Sequence, residues 1–267
     1  VKRSLEFDDM YFEVDPMVGG RVTSFRLGDS DVLAGPEVDA HNYGSTFWTS
    51  PQSDWGWPPP VEVDRHPYDV SAGKDSLTLT SSPQDALGIR VTKRFVADRA
   101  RGAVILEYRI HNVSETPRAY APWEVSRVRS GGLTFFPTGA WFAGPLRVER
   151  CTTATWFDHD PSLLNDAGQK SAADGVGGFV AHAASGMLFL KSFADVPPEL
   201  QAPGEGEIEI YANNRYVEIE VQGPYAIIDA GASAAWAITW YLRRLPEGVI
   251  ASSRNAGLLD FTASVVR

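Results

Sequence analysis

The 267-residue chain has a single cysteine, Cys151, and three methionines. One thiol excludes an intramolecular disulfide and a metal site built from several cysteines. Apolar runs are short. None approaches the 18 residues of a membrane-spanning helix. Basic residues are the minority, 24 against 34 acidic ones, for a formal net charge of −10. That balance argues against nucleic acid or an anionic membrane as the main partner and leaves a neutral small molecule or oligosaccharide open. The sequence shows no phosphate-cradling glycine loop. The small, polar run from Ser171 to Gly178 ends in glycines that no lysine follows. No signal-peptide pattern opens the chain at Val1, so the expectation is a soluble protein, cytoplasmic, or periplasmic or secreted if a leader was removed. Oligomeric state is not legible.

What is abundant is β pattern. Met10 to Val14, Arg21 to Leu27, Ser76 to Thr80, Ile89 to Val96 and Val104 to His111 carry β-branched and aromatic residues between turn formers. So do Arg118 to Val128, Leu133 to Phe136, Leu146 to Thr153, Phe179 to Ala183 and Met187 to Phe193. Glu207 to Tyr211, Tyr216 to Val221, Tyr225 to Asp229 and Ala234 to Leu242 complete the series. Many short strands at regular spacing predict an all-β, antiparallel sandwich with few helices. One short terminal helix is expected within Ser253 to Val265. No low-complexity linker divides the chain, so residues 1–267 read as one domain.

Three stretches carry chemistry. In Tyr216 to Gln222, alternation puts Val217, Ile219 and Val221 on one face and Glu218, Glu220 and Gln222 on the other. A row of two carboxylates and an amide can bond a polyhydroxylated ligand, and one carboxylate can act as a base. The alternative is a solvated outer face. Gly44 to Pro60 holds Trp48, Trp55 and Trp57 beside prolines, with Gln52 and Asp54 between them. Such a segment is too aromatic for disorder and too rich in proline for a core strand. It reads either as an aromatic wall on which a pyranose stacks or as a plug at one end of the sandwich. In Arg118 to Val128, strict alternation sets Glu124 and Ser126 on one face and Trp123 and Arg127 on the other, unless Pro122 introduces a bulge. These side chains either face a cleft or include a buried Glu124 ion pair.

These residues bring out a resemblance. The chain resembles the galactose mutarotase-like, or aldose 1-epimerase-like, superfamily. It is most similar to an uncharacterised bacterial family within it, through Gly19-Gly20-Arg21, Phe47 to Pro59, Ala121 to Val125, Tyr211 to Asn214 and Glu218 to Pro224. The resemblance implies an antiparallel β-supersandwich and an isomerase acting on aldoses without a cofactor or metal. The superfamily's Leu-Glu-x-Gln strand matches Ile219 to Gln222, which nominates Glu220 as the base that takes the anomeric hydroxyl proton. The histidine that protonates the ring oxygen has no counterpart, since Trp123-Glu124 stands at its place. Glu124 is then the substitute acid, with Arg127 or Arg21 steadying an oxyanion. His41 lies just ahead of the tryptophan segment and is within reach of a cleft. Trp48, Gln52, Asp54, Trp55, Trp57, Trp123, Arg127, Glu218 and Gln222 are the expected substrate contacts. Three functions stay open: an aldose mutarotase, a non-catalytic carbohydrate-binding module, and a glycoside hydrolase or lyase. The last needs Glu220 and Glu124 about 5–10 Å apart. The Asp158-His159-Asp160 triplet reads as a solvated loop, and Cys151 as a packed thiol on a strand.

Overall fold

A computed structural model describes residues 1–266. Two antiparallel sheets of eleven and ten strands build the protein. The first sheet runs, edge to edge, through Arg3–Phe7, Met10–Asp15, Arg21–Leu27, Ser45–Ser50, Arg118–Arg129, Tyr216–Gln222, Ile208–Ala212, Gln169–Gly175 and Thr138–Ala143. Ser30–Asp31 and Ala226–Ile228 pair on its flanks. The centre of the second sheet is Phe179–Ala184, Met187–Phe193, Ser233–Arg244, Ala103–Asn112 and Ile89–Asp98. The main core lies between the sheets. Phe12, Phe25, Phe47, Val217, Ile219 and Val221 from the first sheet join Phe95, Tyr108, Phe189 and Trp240 from the second. Phe47 and Tyr108 stack across the interface at 4.4 Å. The helix Ala256–Val266 buries Leu258 against a second apolar cluster around Trp156.

The all-β reading holds, with three corrections. Ser45–Ser50 is a wholly buried central strand, not the start of an irregular segment. Its serines and threonines hid it, because alternation of polarity is no guide where both faces are covered. The prolines act only after Ser50, where the chain turns through a short 3-10 segment, Gln52–Asp54, and one helical turn, Val61–Asp64. Of Leu146 to Thr153, only Glu149–Arg150 is strand, and Cys151 lies in the turn beyond it, its thiol donating to the Ala154 carbonyl at 3.1 Å. Conversely, Gln169–Gly175 is a strand drawn mostly from small residues.

Candidate functional site

The geometry of the site follows from parity along paired strands. Val217, Ile219 and Val221 enter the core, so Glu218, Glu220 and Gln222 point away from the second sheet. Register with Arg118–Arg129 sets Gln222 opposite Trp123, Glu220 opposite Val125 and Glu218 opposite Arg127. The next strand sets Trp48 opposite Trp123. On the other side Glu209 lies opposite Glu220 and Tyr211 opposite Glu218, and Lys170 follows opposite Tyr211. One outer sheet face thus gathers carboxylates, cations and indoles from five strands.

They enclose a hollow of about 410 Å³. Trp48, Trp57 and Trp123 wall it, Gln52 and Asn42 edge it, and Lys170, Tyr211, Tyr216, Glu218 and Glu220 complete its lining. The volume suits a small-molecule site. The indoles brace one another edge to face, Trp48 against Trp123 at 5.3 Å and against Trp57 at 6.0 Å. The Trp48 indole N–H donates to Asp64 at 2.9 Å, and Asp64 is itself buried against Arg21.

Glu220 is 1% exposed. Its Oε2 accepts from the Trp123 indole N–H at 2.9 Å and lies 3.3 Å from the Lys170 ammonium. Its Oε1 has no hydrogen-bond partner. Burial pushes the Glu220 carboxyl up to about 7, although Lys170 pulls it down. Burial drives Glu209, beside the same ammonium at 2.6 Å, well above the usual carboxyl range. Burial also opposes the charge on Lys170, but Glu220 and Glu209 outweigh it and hold the amine above an ordinary lysine. The ammonium therefore stays charged, 4.3 Å over the Trp123 ring, while Glu220 titrates near neutrality. Arg127 donates to Glu218 at 2.8 Å and to Thr46 at 3.1 Å, with its guanidinium 5.3 Å over Trp48.

The structure gathers Trp48, Gln52, Trp57, Trp123, Glu218 and Glu220 around one hollow. Other expected residues stand elsewhere. Trp55 packs behind the wall against Trp48 and Trp123, its N–H held by the Thr49 carbonyl at 2.8 Å. Arg127 lies beneath the wall, buried and holding Glu218. Gln222 donates to Glu205 at 3.3 Å, outside the lining. Asp54 is exposed and also outside the lining. Arg21 is buried with Asp64, and His41 is exposed beside a separate small hollow. No histidine lines the main hollow among the described residues. His159 is fixed between the Gly131 N–H and the Asn213 carbonyl, which accounts for both ring nitrogens.

Glu124 requires the largest correction. The ladder runs unbroken from Ala121–Ser50 to Ser126–Ser45, so Pro122 adds no bulge. Pro122 falls where the strand changes partner from Ala226–Ile228 to Tyr216–Gln222, and its missing N–H interrupts neither of those ladders. Parity is kept and Glu124 turns inward. It is 0% exposed and accepts from Lys191 of the second sheet at 2.5 Å, with Ser45 and Ser126 donating to its other oxygen. It faces away from the hollow and cannot serve there as an acid.

Lys170, Glu209, Tyr211, Tyr216 and Asn42 were not among the expected contacts. Glu209 had a signal: Glu207-Ile208-Glu209-Ile210 alternates as the Glu218 strand does. Lys170 had little, being one lysine before a run of small residues.

No protein-family model matches the chain, and no curated protein matches it. Solved structures do. A galactose mutarotase related enzyme from Lactobacillus acidophilus aligns with a TM-score of 0.63 at 8% identity, covering 94% of this chain and 100% of that one. A candidate aldose 1-epimerase from Escherichia coli K12 aligns at 0.64 and 12% identity, covering 92% and 99%. A galactose mutarotase-like protein from Clostridium acetobutylicum gives 0.57 at 9% identity, over 92% and 99%. At such identities the likeness is one of fold, and the fold is galactose mutarotase-like.

Proposed function

We propose that the hollow binds a monosaccharide-sized carbohydrate and that Glu220 is its reactive carboxylate. One observation carries the reading. Glu220, which lines a hollow walled by indoles, has a buried carboxylate oxygen, Oε1, without a partner. Leaving such an oxygen unpaired is costly, and a ligand hydroxyl would satisfy it. The indoles offer broad apolar faces for the C–H side of a sugar ring. With its carboxyl near 7, Glu220 is ionised in part at neutral pH and matched to accept the proton of an anomeric hydroxyl. Lys170, the cation in the lining, would steady the negative charge that develops as the ring opens. Reclosure on the other face gives the other anomer.

A second reading, binding without turnover, has its own support. Trp123 and Lys170 already engage one Glu220 oxygen, and no histidine among the described residues lines the hollow to protonate a ring oxygen. Polarimetry on a panel of aldoses separates the two. Faster anomerisation that disappears in Glu220→Gln supports catalysis. Saturable binding by calorimetry at the spontaneous rate supports a binding protein. Neither binding at millimolar sugar nor acceleration sinks both. The glycoside-cleaving version with Glu124 is removed by that residue's place inside the sandwich.

A further inference from the structure

We infer that the ligand carries a positive charge and is an amino sugar with a free ammonium, a substrate class that rests on the carbohydrate reading above. Charge comes first. Glu218 and Glu220 line the hollow, with Glu209 and Glu205 directly behind Lys170 and Gln52. Against these stand Lys170 and Arg127, each already held by carboxylates. With Glu209 protonated, Glu205 and Glu218 already match the two cations, and the partly ionised Glu220 adds negative charge in excess. A sugar phosphate or a uronate would add like charge to this field, whereas an ammonium would balance it.

The second observation is independent of the count. Glu220 is part of the lining, and its Oε1 is buried and unpartnered. It can accept from an ammonium as well as from a hydroxyl, and the charged bond is the stronger. The aromatic residues form the third. Lys170 already sits over Trp123 and Arg127 over Trp48, so these rings are placed to receive cations. Trp57, Tyr211 and Tyr216 line the same hollow, and no cationic side chain among the described residues covers them. Ring faces converging beside carboxylates are the usual surroundings of a bound ammonium.

Calorimetry on the whole chain at pH 7 with D-glucosamine, N-acetyl-D-glucosamine, D-glucose and D-glucuronate tests the inference, with tetramethylammonium as a cation that is not a sugar. The expected result is D-glucosamine binding about tenfold or more tighter than either neutral sugar, with D-glucuronate weakest. In Glu220→Gln D-glucosamine should lose more affinity than N-acetyl-D-glucosamine, so that the preference shrinks. Circular dichroism confirms that the variant is folded, and Glu218→Gln gives a second measurement if it is not. Equal or tighter binding of the neutral sugars overturns the charge preference and leaves the carbohydrate reading standing. Tetramethylammonium binding while every sugar fails overturns both the amino-sugar assignment and the carbohydrate reading.

Discussion

Lys191→Met separates the structural carboxylate of the Arg118–Arg129 strand from its functional neighbours. Lys191 and Glu124 are both 0% exposed, and they meet at 2.5 Å between the two sheets. Burial lowers the Lys191 pKa and Glu124 opposes that effect, so each charge depends on the other. Removing the lysine strands a carboxylate in the core, and the loss should be about 3–5 kcal/mol. A domain of this kind has on the order of 5–15 kcal/mol in total, so the midpoint of urea unfolding should fall sharply. The double variant Glu124→Gln/Lys191→Met removes both charges. Its amide oxygen can still accept from Ser45 and Ser126, which now bond Glu124, so most of the loss should be regained. Sugar affinity in the double variant should match the parent within about twofold, because nothing removed lines the hollow. Circular dichroism against urea gives the first comparison and calorimetry the second. A single variant as stable as the parent would refute the argument that the pair is mutually dependent. A folded double variant without sugar binding would return Glu124 to the site.

The Glu220 carboxyl rises from an ordinary 4.5 to about 7, so the native state holds this proton more tightly than the unfolded chain does. Its contribution is complete below the unfolded value and is lost as pH rises through about 7. Stability should therefore fall with pH across that window, less steeply in Glu220→Gln, and parallel curves for the two proteins would contradict the shift. Asp64→Ala leaves the Trp48 N–H and Arg21 without their carboxylate, and should cost about 3–5 kcal/mol in thermal or urea unfolding, with an Arg21→Met background reducing that cost. Trp57 is 61% exposed. Trp57→Ala should weaken ligand binding by about 0.5–2 kcal/mol and leave the unfolding midpoint almost unmoved, and an unchanged Kd would remove it from the site.

Many strands with one dry face and one polar face could be read, Arg3–Phe7 being an exception. The Tyr216–Gln222 strand could be read, and its row of Glu218, Glu220 and Gln222 points as parity requires. Legibility failed where both faces are buried, where side chains are small, and at exposed edge strands such as Asp69–Ala72. Ser45–Ser50 shows six buried residues with no alternation of polarity, and Gln169–Gly175 is too small in side chain to advertise its pairing. Those two gaps bear on the site, since the first carries Trp48 and the second carries Lys170. Lys170 could not be tied to Glu220 from sequence, because fifty residues and an intervening strand separate them, and only the sheet order brings them to 3.3 Å. Asp54 failed for a different reason. A polar residue between tryptophans looks like a ligand contact, but a turn of 3-10 helix rotates it outward while Gln52 remains at the rim.

Parity along Arg118–Arg129 links stability to the site. On one side of the strand, Glu124 and Ser126 join Lys191 and Ser45 inside the sandwich. On the other, Trp123 bonds Glu220 and Arg127 holds Glu218. A slip of one residue would exchange the two sets completely. It would turn Trp123 and Arg127 inward and carry Glu124 out to the hollow, leaving the Lys191 ammonium alone in the core. That stranded charge makes the slipped pairing costly by several kcal/mol. The buried pair thus opposes the one error that would remove Trp123 from the wall of the hollow and place a different carboxylate beside Glu220. A residue that does not face the ligand still fixes which residues do.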